Sequence, residues 1–336
     1  MITILRFLLF SFSALYGLAA ALRRKAFQNK WLHSETFNVP TICVGNLSMG
    51  GTGKTPLVEY IARFLSQNHK IAVLSRGYGR KTKGYIHARE TQDINSSIIG
   101  DEPMQYATKF PNIEVAVCEN RKIGIAHLLS KNSKLEAIVL DDAFQHLAVN
   151  YSLKIVLTEY ERPFFNDFPV PSGNLREFGS SSKYADIIVV TKCPENITCE
   201  DKKRLLQKLK PQNGQEVFFT KIKYAEKKKE NNPNILLVTG IANPKPLVHY
   251  LEMAYGKINT LHFPDHHAFT NRDIEKIVRA KEKLGGKNCT ILTTEKDATR
   301  LHGYSNLFEY QTVPIEIVFL ENEDVFKEKL LSLLKR

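Results

Sequence analysis

The stretch Gly45-Asn46-Leu47-Ser48-Met49-Gly50-Gly51-Thr52-Gly53-Lys54-Thr55 constrains the fold of this chain more than any other. The apolar run Phe37–Val44 leads into it as a strand, and Lys54–Gln67 leads out of it as a helix. Strand, glycine-rich turn and helix in that order make a phosphate cradle. Backbone N–H groups wrap the phosphate oxygens, and the helix N-terminus adds its positive dipole end. The spacing predicts Ser48, Met49, Gly50, Gly51, Thr52, Gly53, Lys54 and Thr55 around a nucleoside triphosphate. Lys54 is expected on the β- and γ-phosphates and Thr55 on Mg²⁺. The usual pattern has Gly where this chain has Ser48, yet Gly-Lys-Thr between strand and helix stays specific. Ala137–Asp142 (AIVLDD) fits the second half of such a site, a buried strand whose end presents Asp141 and Asp142 to the same metal. Thr191-Lys192-Cys193-Pro194 lacks the Asp of a guanine-reading [NT]KxD motif, and Met49 stands where a dimerising membrane ATPase carries Lys. Both absences point away from a switch and toward an enzyme.

Around the loop, short β-branched runs alternate with helical stretches: Ile71–Ser75, Ile113–Cys118, Ala137–Leu140, Ile155–Leu157 and Ile187–Thr191. That alternation implies an α/β fold with a mostly parallel, helix-covered sheet of the P-loop NTPase type. Asp201–Lys210 reads as a basic amphipathic helix, and Lys221–Glu230 holds five lysines in ten residues. Beyond Asn231-Asn232-Pro233 the alternation restarts with strand Ile235–Thr239, helix Pro246–Ala254, strand Ile258–Phe263, helix Asn271–Leu284 and strands Thr290–Thr294 and Ile315–Leu320 before a terminal helix. The expected organisation is a hydrophobic segment over 1–25, a P-loop domain over 26–220, a charged connector over 221–234 and a smaller C-terminal α/β domain over 235–336. Five cysteines without a CxxC pair imply neither structural zinc nor a disulfide framework. A formal charge of +12 favours anionic partners in general.

Seventeen of the first 22 residues are apolar, and Phe7–Leu22 is a run of 16 without a charge, followed by Arg23, Arg24 and Lys25. As a helix that run reaches about 24 Å, short of the roughly 30 Å hydrocarbon core. A cleaved signal is opposed by the order of charges, which follow the apolar run instead of preceding it. We read a retained helix dipping into a cytoplasmic leaflet, with its basic cluster among anionic headgroups, over a spanning anchor, a cleaved signal or a core helix.

Taken together, Gly45–Pro56 (GNLSMGGTGKTP), Ser75–Gly79 (SRGYG), Gly100–Pro103 (GDEP), Asp141–His146 (DDAFQH), Pro171–Glu177 (PSGNLRE), Phe263–His266 (FPDH) and Thr293–Leu301 (TTEKDATRL) resemble the tetraacyldisaccharide 4′-kinase, or lipid A 4′-kinase, family. The motifs run in the family's order, with Ala143 where Gly is usual and Asn174 where Pro is usual. The resemblance implies transfer of the ATP γ-phosphate to the 4′-hydroxyl of a tetraacylated glucosamine disaccharide 1-phosphate, at the cytoplasmic face of a Gram-negative inner membrane. The protein would be peripheral or monotopic there, meeting its lipid substrate at the inner leaflet. No nucleic acid and no obligate protein partner are expected.

The resemblance also implies roles. Asp101, in the Gly-Asp-Glu-Pro turn, is the expected catalytic base; by itself such an Asp reads as a helix cap. His266 is its expected dyad partner, with the adjacent His267 open as a substitute. Arg76, Tyr78, Arg121, Arg176 and Glu177 are weaker candidates for substrate contacts, each also readable as a salt bridge holding a loop. Glu295-Lys296-Asp297 reads as structural. Two other functions compete: a membrane-recruited regulatory ATPase and a nucleic-acid-associated NTPase. The first lacks a second loop Lys, and the second lacks a basic stripe with interleaved aromatics.

Overall fold

The computed structural model describes residues 9–225 and 234–335. In chain order the elements are α1 (Phe10–Gln28), β1 (Thr41–Asn46), α2 (Lys54–Leu65), β2 (Ile71–Ser75), β3 (Ile86–His87), α3 (Ser96–Ile99), α4 (Asp101–Lys109), β4 (Glu114–Val117), α5 (Arg121–Lys131), β5 (Ala137–Asp141), β6 (Leu153–Glu159), β7 (Ile187–Thr191), α6 (Cys199–Leu209) and β8 (Glu216–Tyr224). Then come β9 (Asn234–Thr239), α7 (Lys245–Tyr255), β10 (Asn259–His262), α8 (Asn271–Lys283), β11 (Cys289–Thr294), α9 (Glu295–Leu301), β12 (Gln311–Val313), β13 (Ile315–Phe319) and α10 (Glu323–Ser332).

Nine strands form one sheet in the order β13-β8-β7-β6-β1-β5-β2-β4-β3, parallel except at its two edge pairs. Its central strands are covered on both faces, so they read as unbroken apolar runs rather than alternating ones. Along β1, Ile42 and Val44 face α2 and pack with Leu57, Ile61 and Leu65, while Cys43 faces the opposite layer with Ile125 and Phe144. Pro40 has no N–H to give a ladder, and β1 begins only after it, at Thr41. Helix α6 starts two residues before the expected Asp201, because Thr198 and Asp201 form a capping box.

The second sheet is a parallel set of four, β10-β9-β11-β12, with its own apolar clusters. Its end departs from expectation. Ile315–Leu320 and the terminal helix were expected with the smaller unit, but β13 pairs antiparallel with β8 in the larger sheet. Phe319 and Phe326 pack ring to ring with Tyr60 and Phe218, and a Phe→Ala change at such a site costs about 3–5 kcal/mol. The smaller sheet is thus an insertion between two adjacent strands of the larger one. The expected connector over 221–234 begins as strand through Tyr224, and its residues 226–233 lie outside the described residues.

Helix α1 lies against the larger unit through small residues. Ser13 is buried and accepts a hydrogen bond from the Ser172 N–H at 2.8 Å. At Gly17 a Cβ would come within 2.5 Å of the Phe178 ring, so only glycine admits that approach. The opposite face leaves Phe12, Leu15, Leu18 and Leu22 exposed. The first eight residues of the expected segment lie outside the described residues. Among the described residues, no helix is long and apolar enough to cross a membrane.

Candidate active site

The phosphate loop leaves β1 at Asn46 and enters α2 at Lys54. Gly50, Gly51 and Gly53 all take positive φ, a conformation that turns successive N–H groups inward at no Cβ cost. Gly53 also caps α2 without a side-chain bond, leaving the first-turn N–H groups open to a ligand. Asn46 ties the loop together: its Nδ2 donates to Thr52 Oγ1 at 2.8 Å and its Oδ1 accepts from Lys54 Nζ at 3.2 Å. From β7, Thr191 Oγ1 donates to the Thr52 carbonyl at 2.8 Å, and Lys192 donates to the Gly51 carbonyl. Ser48 bridges to Leu175, and the Met49 N–H donates to the Asn174 carbonyl at 2.8 Å, which lays the Pro171–Glu177 segment along the loop.

The two acids after β5 have opposite surroundings. Asp141 is buried; its Oδ2 accepts from Tyr106 Oη at 3.2 Å and Ser75 Oγ at 3.5 Å, while Oδ1 has no partner. Burial, with Asp142 and Glu102 nearby, pushes its carboxyl up to about 7 against the opposing pull of Lys54. Asp142 sits at φ 48° and takes two 2.8 Å hydrogen bonds from Arg176 Nη1, with Lys54 Nζ at 3.5 Å. Burial works against its ionisation, but Lys54 and Arg176 together hold the carboxyl below its usual range. An orphaned, buried carboxylate oxygen beside a phosphate loop suits a hard divalent cation. Among the described residues no three acids, histidines or cysteines cluster as ligands. Mg²⁺ in phosphate-loop sites takes only one or two protein oxygens, the rest being phosphate and water, so the residues present fit it.

The smaller unit closes the site. Asp101 is the first residue of α4, and Gly100, at φ 94°, is where the SRGYG loop crosses: a Cβ there would meet the Tyr78 carbonyl oxygen at 2.9 Å. The Asp101 side chain caps nothing. Its Oδ2 lies 3.3 Å from His266 Nδ1 and 3.5 Å from Arg300 Nε. His266 holds a left-handed φ of 56° and meets the Tyr78 ring edge-on at 5.5 Å. His267 turns away, bonding Asp273 Oδ2 at 3.0 Å and stacking on Phe263, so of the two rings it is His266 that lies beside Asp101. Lys109 of α4 bridges Glu59 of α2 and Glu295 of α9, both at 2.7 Å, tying the two units beside this pair.

The weaker candidates divide. Arg76 and Tyr78 are exposed on the cleft. Arg176 is there too, engaged with Asp142. Arg121 is buried and donates to the carbonyls of Cys118, Glu119 and Asp141. Glu177 is also buried, and both its oxygens take Arg24, at 2.8 and 3.0 Å. That corrects the reading of Arg24 as a headgroup contact: it is 6% exposed, with its guanidinium over the Phe144 ring at 4.6 Å. A buried carboxylate 153 positions away in the chain captures it, which no local pattern announces. Sequence reasoning also missed Gln145, which donates to Glu177 Oε1 at 3.0 Å, and His146. Burial and the cations Arg121, Arg23 and Arg76 push the His146 ring down to about 4, so it is neutral, and its Nε2 has no partner. One open cleft of about 1720 Å³ is lined by Lys54 and Asp141, by His266 and Lys296, and by Tyr16 and Ala20 of α1.

The chain is similar over nearly its whole length to proteins of one family. A family model described as tetraacyldisaccharide-1-P 4′-kinase (LpxK) matches residues 5–335. The tetraacyldisaccharide 4′-kinase of Flavobacterium johnsoniae is 42% identical, covering 99% of this chain and 98% of its own. That of Bacteroides thetaiotaomicron is 41% identical, covering 96% of this chain and 92% of its own. The crystal structure of LpxK from Aquifex aeolicus in complex with ATP superposes with a TM-score of 0.75 at 27% identity, over 98% of this chain and 99% of that one.

Proposed function

We propose residue roles on one premise: the chain belongs to the tetraacyldisaccharide-1-P 4′-kinase family. It is an ATP-dependent lipid kinase that transfers the γ-phosphate of ATP to the 4′-hydroxyl of a tetraacyldisaccharide 1-phosphate in lipid A biosynthesis. Phosphoryl transfer needs alignment, charge neutralisation and a base for the attacking hydroxyl. In this reading Ser48–Thr55 hold the nucleotide's phosphates, and Lys54 follows the charge that develops on the transferring group. Thr55 and Asp141 would hold Mg²⁺, with Asp142 beside them orienting Lys54 and Arg176. When bound, the metal neutralises the β- and γ-phosphate oxygens. Asp101 removes the 4′-hydroxyl proton and His266 supports it. Arg76 and Arg121, with Arg23, give the sugar end of the cleft the positive potential an anionic disaccharide needs. Arg176 and Glu177 hold the wall, and Tyr78 packs the dyad.

The acyl chains place the enzyme at a membrane. Helix α1 docks on the larger unit through Ser13 and Gly17 and leaves Phe12, Leu15, Leu18 and Leu22 exposed, which suits a helix whose outer face meets the inner leaflet at the cytoplasmic face of the inner membrane. Tyr16 and Ala20 of that helix line the same cleft as the phosphate loop, so a lipid entering beside the helix has a continuous path to the nucleotide's phosphates.

The observation that carries the proposal is the 3.3 Å contact between Asp101 and His266, 165 positions apart, one on helix α4 and the other in the turn after β10. Its test is a double-mutant cycle on kcat with ATP saturating. Asp101→Ala is expected to cost about 10²–10⁴ with little change in ATP binding. His266→Ala is expected to cost less, and the double variant to be little worse than Asp101→Ala. Losses that multiply fully would refute the pair.

A further inference from the structure

The TTEKDATRL segment, read from sequence as structural, delivers Lys296 to the dyad: its Nζ lies 2.9 Å from His266 Nε2. An ammonium offers three donors and no acceptor, so Nε2 must be the accepting nitrogen. The single ring proton then belongs on Nδ1, the nitrogen 3.3 Å from Asp101 Oδ2. We propose that Lys296 is a positioning residue that fixes His266 as the neutral Nδ1–H tautomer, so that His266 donates to Asp101 and cannot act as a proton relay. This deepens the reading of Asp101 as base and rests on it.

The surroundings agree. Lys296 is itself steered by Glu102 at 3.6 Å and Asp265 at 3.9 Å, and the Tyr78 ring closes the remaining side of His266. An imidazolium would put a second N–H against the Lys296 donor, and the Nε2–H tautomer would do the same while pointing a lone pair at the Asp101 carboxylate. Asp265 Oδ2 also faces Nε2 but at 4.0 Å, beyond hydrogen-bond distance, so only one ring state satisfies both hydrogen-bonding neighbours. His266 Nδ1 and Arg300 Nε both address Oδ2, which leaves Oδ1 for the acceptor hydroxyl. In the transfer step the hydroxyl proton passes to Asp101 Oδ1, the new O–P bond forms, the bond to the β-phosphate oxygen breaks and ADP departs. His266 keeps its own proton throughout.

The test reads tautomer and rate separately, on the full-length protein labelled with ¹⁵N-histidine, with the His266→Gln spectrum identifying the His266 signals. The wild type is expected to show a protonated Nδ1 and an unprotonated Nε2 at His266. In Lys296→Met, where Asp101 still holds the Nδ1 proton, Nε2 is expected to become protonated as well, and kcat to fall about 10- to 100-fold, as when a metal-bound histidine loses its orienting partner, with KM for ATP unchanged. Lys296→Arg restores a donor and is expected to recover both the tautomer and most of the rate. A wild-type His266 protonated on Nε2 overturns the proposal even if Lys296→Met fails to fold, and so does an Nε2 that stays unprotonated or a full rate in Lys296→Met. Full activity in Asp101→Asn would instead remove the base while leaving the Lys296-dependent tautomer in place, so the two failures are distinct.

Discussion

Each sheet buries an aspartate just past the end of a strand, and the two are treated in opposite ways. Asp297, fully buried after β11, is satisfied: its Oδ2 accepts from Thr239 Oγ1, the Gly240 N–H and Thr294 Oγ1, and its Oδ1 from Arg300 Nη2 at 2.6 Å. Asp141, at the end of β5, keeps one oxygen unpartnered and a carboxyl pushed up to about 7, chiefly by burial. A satisfied buried acid organises its own loops. A buried acid left short of donors costs free energy until something binds it, so it marks where chemistry is expected.

The largest effect that sharpens this contrast is on rate. Asp141→Asn is expected to lower kcat by about 10²–10³, the usual loss for one electrostatic partner at the reacting phosphate. Its stability should move the other way. A carboxyl raised in the folded state binds its proton more tightly there than in the unfolded chain, so stability falls as pH climbs from the ordinary carboxylate range through about 7. Thermal melts at pH 8 should therefore find Asp141→Asn at least as stable as wild type; a clear loss would break the comparison.

Asp297→Asn is the converse. Breaking a buried, hydrogen-bonded ion pair costs about 3–5 kcal/mol, and denaturant unfolding should show a loss of that size. A variant as stable as the parent would mean that Asp297 is as expendable to the fold as Asp141.

The smallest expected effect separates a cap from a core acid. Hydrogen bonds from Thr270 and His267 hold the Asp273 carboxyl well below the usual carboxylate range. A depressed acid contributes stability at pH values above its unfolded titration, and that contribution fades as pH falls through the depressed value. Asp273→Asn should flatten the decline in melting temperature below about pH 4, with a cost near neutrality of about 0.5–2 kcal/mol, as for other N-terminal caps. A steep acid decline in Asp273→Asn would assign the acid lability to other carboxylates.

How much of this was legible in the sequence follows from how far apart the participants lie. The phosphate loop is contiguous, so its glycines, Lys54 and Thr55 announced their geometry outright. Asp101 and His266 came from the family resemblance alone, since nothing in either segment points to the other. The ion pair of Arg24 with Glu177 and the contact of Lys296 with His266 were invisible, because a lone basic residue reads the same whether it ends in headgroups, on a carboxylate or on an imidazole. Alternating apolar runs revealed that Ile315–Leu320 is a strand, but periodicity does not say which sheet a strand joins. Only the unpaired edge of β8 and the aromatic surface around Tyr60 decide that.

The insertion of the smaller sheet between β8 and β13 has a consequence for how the protein is made. A ribosome paused after Pro314 has released every residue of the phosphate loop, of both acids after β5 and of the dyad, yet β8 still lacks its outer neighbour and Tyr60 its covering rings. An open strand edge beside an uncovered apolar face is the kind of surface that recruits other chains. The nascent enzyme is therefore vulnerable to aggregation until β13 and α10 have emerged, after its chemistry has been spelled out in full, and those two elements act as the seal on the unit to which β8 belongs.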